Sequence, residues 1–161
     1  MAVIEGAYHG HTGMLIDLSP YKFRGPGGKG SPEEWVHVLP IPDTYRRPSI
    51  DYSAEAREGM KHAGPLAGLL IESMLSCAGQ VPLPPNYFSE AASTIRNQGG
   101  LLIADEVQVG FGRVGTHMWA FQDSGVTPDI VVMGKPIGNG HPMAAVFTTC
   151  LLYTSPSPRD P

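Results

Sequence analysis

The hydrophobic positions of this chain come mostly as short aliphatic runs closed by turn residues. Runs at 66–71, 101–104 and 130–133 stop at Glu72, Asp105 and Gly134-Lys135, and each reads as a buried strand. A brief run at 1–7 and an alternating stretch at 35–39, ended by Pro40 and Pro42, predict two more strands. Residues 143–148 predict a further one, joined to the run at 130–133 as a hairpin through the turn at 136–142. Between these lie segments of helical character. Residues 53–64 predict a short helix with Ser53 as N-cap. Pro84 and Pro85 predict a helix start, Tyr87, Ala91 and Ile95 share one face at i, i+4, i+8, and Gly99-Gly100 is the stop. Residues 116–124 predict another helix, with Trp119 inward and Gly125 as cap. The stretches 8–13 and 19–30 read as a turn and a surface loop.

The order of these elements carries a topological consequence. A strand–helix–strand crossover from 66–71 to 101–104 makes the two strands parallel. Glu72 and Asp105 therefore end on the same edge of one sheet. The expected fold is α/β, a mostly parallel sheet with flanking helices. In such sheets ligands sit outside the carboxyl ends of the strands. Asp105 and Lys135, a lone carboxylate and a lone amine, fall at that position.

Composition narrows the function classes. At 161 residues and 42% hydrophobic, the chain is long and apolar enough for one domain with a core. Only 16% of residues are charged, against about a quarter in ordinary domains. That deficit implies surface covered by a partner subunit or a further domain. A net charge of -4 argues against nucleic-acid binding, and no apolar run reaches the length of a membrane span. Cys77 and Cys150 form neither a disulfide framework nor a zinc spacing. The first residues lack a signal-peptide pattern, so a cytoplasmic, reducing location is expected.

Three motifs invite and fail functional readings. His9-x-His11 has no third ligand at sensible spacing, so no metal is assigned. Gly28-Lys29-Gly30-Ser31 is not a phosphate loop, because Phe23 stands where the opening glycine belongs and Gly30 follows the lysine. Gly110-x-Gly112-x-x-Gly115 matches a dinucleotide fingerprint and supports, as a remote alternative, a nicotinamide-binding module. Its glycines arrive late after the strand that ends at Asp105, and Asp129 begins a strand rather than ending one. These glycines read better as a loop that turns closely under a ligand.

The strings Asp105-Glu106-Val107-Gln108-Val109-Gly110-Phe111-Gly112-Arg113, Pro128-Asp129-Ile130 and Gly134-Lys135 resemble those of class III aminotransferases, pyridoxal-phosphate enzymes of fold type I. The string from Gly134 to Pro142, with Gly138-Asn139-Gly140, is most similar to the branch containing the ethanolamine-phosphate phospho-lyases. The resemblance spans residues 1–149 and implies part of the cofactor-binding large domain. It implies that Lys135 is the Schiff-base lysine and, once displaced by substrate, the base for the α proton. An amine must be neutral for the first role and well placed for the second. It implies that Asp105 faces the pyridine nitrogen, keeping it protonated so that the ring acts as an electron sink. It further implies that Tyr8 and Val107 pack on opposite ring faces, with Gln108 near the ring hydroxyl. Glu106 and Arg113 are assigned to structure, as a loop-stabilising pair.

The same resemblance implies a small-molecule amine or amino-acid substrate and a homodimeric parent. Many class III transaminases carry a second glutamate five residues after the one matched by Glu72, and Cys77 stands there. That departure favours the phospho-lyase alternative over dual-substrate transamination. The glycine-and-serine phosphate cup is expected before Met1, and a threonine lent by the neighbouring subunit after Thr149. The isolated chain is therefore expected to be inactive. Residues 150–161, with three prolines and no periodicity, read as a foreign or disordered tail.

Overall fold

A computed structural model describes residues 1–153. Six strands form one sheet: β1 (Ala2–Ile4), β2 (His37–Leu39), β3 (Gly68–Glu72), β4 (Leu101–Asp105), β5 (Ile130–Met133) and β6 (Ala145–Thr148). Their spatial order is β2-β1-β3-β4-β5-β6. All neighbours pair in parallel except β5 and β6, which pair as an antiparallel hairpin. The predicted crossover is present: Gly68 pairs with Leu101 and the register runs to Glu72 opposite Asp105.

Helices α1 (Gly13–Asp17), α2 (Tyr52–His62), α3 (Tyr87–Asn97) and α4 (Cys150–Tyr153) complete the regular elements, with 3-10 turns at Pro20–Lys22, Ala120–Ser124 and Lys135–Gly138. Of the predicted tail, residues 150–153 form α4, and the remainder lies outside the described residues.

Strand alternation divides the core in two. Ile4, Leu69, Ile71, Leu102 and Ala104 pack with Tyr52, Ala56 and Met60 of α2 and Tyr87, Ala91 and Ile95 of α3. Their alternates Val3 and Leu70 face the other way, against Leu18 and Val36, in a much smaller cluster. By the same period of two, Glu72 and Asp105 fall on this second, thinly covered face. β3 is buried throughout, as expected of a strand with packing on both sides. β6 is the opposite: Val146 and Phe147 are 67% and 53% exposed.

Element ends differ from the sequence reading where several cap residues compete. Helix α2 begins at Tyr52, not at Ser53, because the Asp51 carboxylate accepts the N–H of Ala54 at 2.9 Å. The two prolines before α3 form a turn closed by Tyr87 N–H on the Pro84 carbonyl, and the helix starts at Tyr87 behind a left-handed Asn86. The helix expected over 116–124 contracts to the 3-10 turn at Ala120–Ser124. Its start is fixed by Glu106, which is fully buried and accepts the N–H groups of Ala120 at 3.0 Å and Phe121 at 2.9 Å. Trp119 is half-buried and packs edge-on against Phe111, with ring centroids 4.7 Å apart. Glu106 thus stabilises the loop through backbone donors, and the expected Glu106–Arg113 pair is not formed.

Two stability changes follow. Tyr87 is 1% exposed and its hydroxyl has no hydrogen-bond partner among the described residues. A buried unpaired hydroxyl costs about 1–3 kcal/mol, so Tyr87→Phe should raise the unfolding free energy by about 1 kcal/mol in urea titrations. Glu106→Ala should lower it by about 2–4 kcal/mol, because two buried amides lose their acceptor.

Candidate active site

The site is assembled at the carboxyl ends of β3, β4 and β5. Asp105 closes β4, is 6% exposed, and pairs in register with Val132 of β5. Its two oxygens are held separately. Oδ1 accepts the N–H of Val107 at 3.0 Å. Oδ2 lies 2.8 Å from Nδ1 of His9, whose side chain is 1% exposed. With Nδ1 carrying the proton, His9 donates to the carboxylate. Its Nε2 is buried without a partner among the described residues.

The loop after β1 brings His9 there, and Glu72 fixes that loop. Glu72, 3% exposed at the end of β3, accepts the N–H of Tyr8 at 3.1 Å through Oε1. Its Oε2 accepts the N–H of Ser76 at 2.8 Å. Ser19 adds a second tie, accepting the N–H of His9 at 2.9 Å. Two carboxylates on adjacent strands therefore grip one loop. Tyr8 is half-buried; its ring meets Tyr21 edge-on at 6.1 Å, and the Lys22 ammonium lies 5.5 Å from its centroid.

Val107 connects Asp105 to the lysine. The N–H of Glu106 donates to the Val132 carbonyl at 2.8 Å, carrying the strand pairing one residue past Asp105. Val107 then packs against Gly134, where an added Cβ would come 3.2 Å from Val107 Cγ1. The next residue is Lys135, exposed and without an ion pair or hydrogen bond among the described residues. Its φ is +35°, in the left-handed region that L side chains rarely adopt. Such strain concentrates at functional positions, where the surroundings over-determine the backbone.

Gln108 is placed at the same rim, and its amide nitrogen donates to Cys77 Sγ at 3.2 Å. Of the sequence candidates, Asp105, Val107 and the segment bearing Lys135 are brought together, with Tyr8 on the loop that delivers His9. In the sequence His9 is only half of a failed metal pair. Its real partner is far along the chain, and the sole local hint is its place after Tyr8 in a loop at a strand's carboxyl end.

In the two remote motifs, His9 is turned to Asp105 and the glycines form a loop. Among the described residues no group of three His, Cys, Asp or Glu side chains is close enough to hold a metal ion. The glycine fingerprint does not open a helix on a strand end. It forms a closed loop in which Gly110 is in contact with Trp119 and the Glu106 carbonyl, each 2.9 Å from where a Cβ would sit. No helix among the described residues is long and apolar enough to cross a membrane.

Known proteins are similar to this chain in sequence and fold. Residues 1–160 match the profile of the family Aminotransferase class-III. A Drosophila melanogaster protein named alanine–glyoxylate aminotransferase 2-like is 45% identical over 161 residues, covering 91% of this chain and 32% of that protein. An ethanolamine-phosphate phospho-lyase homolog of Caenorhabditis elegans is 43% identical, covering 91% of this chain and 36% of its own length. Among solved structures, a Bacillus anthracis aminotransferase superposes with a TM-score of 0.84 at 25% identity, over 95% of this chain and 36% of that one. An Arthrobacter phospholyase in complex with phosphoethanolamine gives 0.76 at 34% identity, over 95% and 38%. The chain spans about a third of the length of the curated relatives it matches. The profile match and the parallel sheet shared with solved aminotransferases agree: this chain belongs to the class III aminotransferases, the pyridoxal-phosphate-dependent family of fold type I.

Proposed function

We propose that this chain supplies part of the cofactor-bearing large domain of a transaminase in which Lys135 is the amine that bonds to pyridoxal phosphate. The observation that carries this reading is the pairing of Asp105 with Val132, which sets a buried carboxylate beside the strand leading to an unpaired, backbone-strained lysine. The residues present fit the group. A carboxylate has about four acceptor directions; Asp105 uses one on His9 and one on Val107, leaving capacity for a ring N–H. Val107 offers an apolar surface between that carboxylate and Lys135, and the Lys135 amine has no competing partner among the described residues.

When bound, the cofactor supplies an electron-withdrawing ring that stabilises charge on the substrate carbon next to nitrogen. The chain's own residues do the rest. Asp105 would hold a proton on the ring nitrogen, because an ionised carboxylate favours the charged form of its partner. His9 donates to Asp105 from Nδ1, fixing its orientation and keeping it an acceptor. Lys135, as the free amine, would be the group that removes and returns the proton of the substrate carbon. Tyr8 and Val107 would hold the two ring faces. Gln108, already anchored on Cys77, has its second amide hydrogen for the ring hydroxyl. The substrate is a small amine or amino acid, the parent is a homodimer, and the compartment is cytoplasmic. Residues 1–149 form the large-domain portion.

A second reading is elimination of phosphate from a phosphorylated amine. It is favoured by Cys77, a neutral residue that receives the Gln108 amide where an acidic partner would serve a second amino acceptor. Both reactions begin with the same proton removal by Lys135. Release of inorganic phosphate from phosphoethanolamine without consumption of a keto acid distinguishes them.

The test of the shared step is chemical. The chain, incubated with excess pyridoxal phosphate and reduced with borohydride, should carry the adduct on Lys135 in preference to Lys22, Lys29 and Lys61 by peptide mass mapping. Adduct spread evenly over the four lysines would overturn the assignment. In the whole enzyme, Lys135→Ala should lower turnover by at least about a hundredfold, the scale of lost proton transfer. The isolated chain should show no turnover.

A further inference from the structure

Beside Lys135 lies an open cavity of about 440 Å³ lined by Met74, Gln80, Gln108, Val109, Arg113, Val114 and Lys135. Its wall contains two cations, two amides and no carboxylate. Neither cation makes an ion pair or hydrogen bond among the described residues. Surface arginines ordinarily find a carboxylate or remain solvated on a convex face. Here an unpaired guanidinium and an unpaired amine border one concavity, where low-dielectric walls concentrate their field.

The backbone holds Arg113 in place. Gly112 N–H donates to the Met118 carbonyl at 2.9 Å, and Gly115 N–H donates to the Gly112 carbonyl at 3.0 Å. Arg113 and Val114 are thus the two central residues of a closed turn, and both line the cavity. The part of the lining that carries Gln80 is equally constrained. Leu75 and Val81 exchange both backbone hydrogen bonds, at 3.1 and 3.0 Å, and Gln80 sits in that loop with φ +60°. Two of the five non-glycine residues with positive φ among the described residues, Gln80 and Lys135, line this one cavity. Strain of this kind marks sites whose geometry is imposed by use. The amides have weak commitments: Gln80 donates to the Ser76 carbonyl at 3.3 Å, and Gln108 donates to a thiol sulfur.

We propose that Arg113 binds the oxyanion of the substrate, a phosphate or carboxylate carried on the amine that reacts at Lys135. This rests on the assignment of Lys135 given above. A guanidinium presents paired donors that match either oxyanion, and Gln80 adds N–H donors to the same lining. The substrate amine would point to Lys135 and its anion to Arg113, so the turn at 112–115 selects amines bearing a compact negative group over neutral ones.

The experiment uses probes that lack the amine and cannot react. The chain is titrated with 2-hydroxyethyl phosphate, 3-hydroxypropionate and ethylene glycol, with and without pyridoxal phosphate, and binding is read by calorimetry. The two anions should bind and the neutral diol should not. Arg113→Gln should weaken anion binding by at least about tenfold, the size of a lost charge-assisted hydrogen bond. The stronger of the two anions identifies the substrate's group. In the unsubstituted chain the Arg113 Nε resonance should shift on adding the stronger anion, a readout that does not depend on the variant folding. Equal binding of the diol, undiminished binding by a folded Arg113→Gln, or no shift at Arg113 Nε would overturn the proposal. So would an Arg113→Gln chain that loses pyridoxal phosphate but still takes up pyridoxal, since the oxyanion would then be the cofactor's own. Failure of the Lys135 adduct with anion binding intact would refute the cofactor assignment instead.

Discussion

The register between β4 and β5 is the constraint on which the site depends. Asp105 opposite Val132 places the carboxylate at the strand's end, and the Glu106 N–H extends that pairing by one more bond. From there two short connections, one through Val107 and one through Gly134, meet in van der Waals contact. A slip of one residue would turn Asp105 onto the helix-covered face, among Leu102 and Ala104, where an ionised group has no donors. The parallel ladder is therefore an aiming device as well as a source of cohesion. It is pinned by β3, whose register with β4 is continuous over five residue pairs.

Three buried carboxylates at this rim divide the work. Asp105, Glu72 and Glu106 are each under a tenth exposed, and burial of an unpaired charge would cost several kcal/mol. Glu72 and Glu106 are satisfied by backbone N–H donors, Asp105 by one backbone N–H and one side chain, and each closes a different loop. Glu72 holds the loop carrying Tyr8 and His9 to the segment at Ser76. Glu106 starts the turn at Ala120. Asp105 alone takes a side-chain donor, His9, and retains accepting capacity. The two glutamates are structural clamps, whereas Asp105 combines a side-chain donor with open acceptor positions. Removing either clamp would move a loop rather than delete a reacting group.

The framework was legible because aliphatic runs bounded by turn residues encode strands directly, and one crossover fixes their direction. Asp105 and Lys135 could be placed at the sheet edge from that alone. Other features depend on contacts the local pattern does not encode. Asp51 and Ser53 are both good cap residues two positions apart, and only the reach of the Asp51 side chain to Ala54 decides between them. Glu106 and Arg113 look like a pair along the loop, yet the glutamate turns inward to amides that need it more than a solvated guanidinium does. His9 binds Asp105 across 96 positions of sequence, and Gln108 meets Cys77 across 31. No periodicity records such distances. The left-handed backbone of Lys135 was equally invisible, since lysine has no preference for it.

The uneven covering of the sheet explains why the site can exist where it does. Helices α2 and α3 supply most of the buried apolar surface on one face, and nearly all of the larger cluster lies there. That face can carry stability alone, which leaves the other free of the need for close packing. The second face is lined by a small cluster, then by carboxylates, a histidine and the loop ends. Polar groups tolerate that position because loop backbones supply donors at short range, whereas helices would present only side chains. The same economy extends to the cavity beside Lys135, where strain at Gln80 and at the lysine is sustained by hydrogen-bonded neighbours on both sides. A chain that spread its apolar residues evenly over both faces would have gained core. It would have lost the thinly covered face at whose rim Asp105 and the segment bearing Lys135 meet.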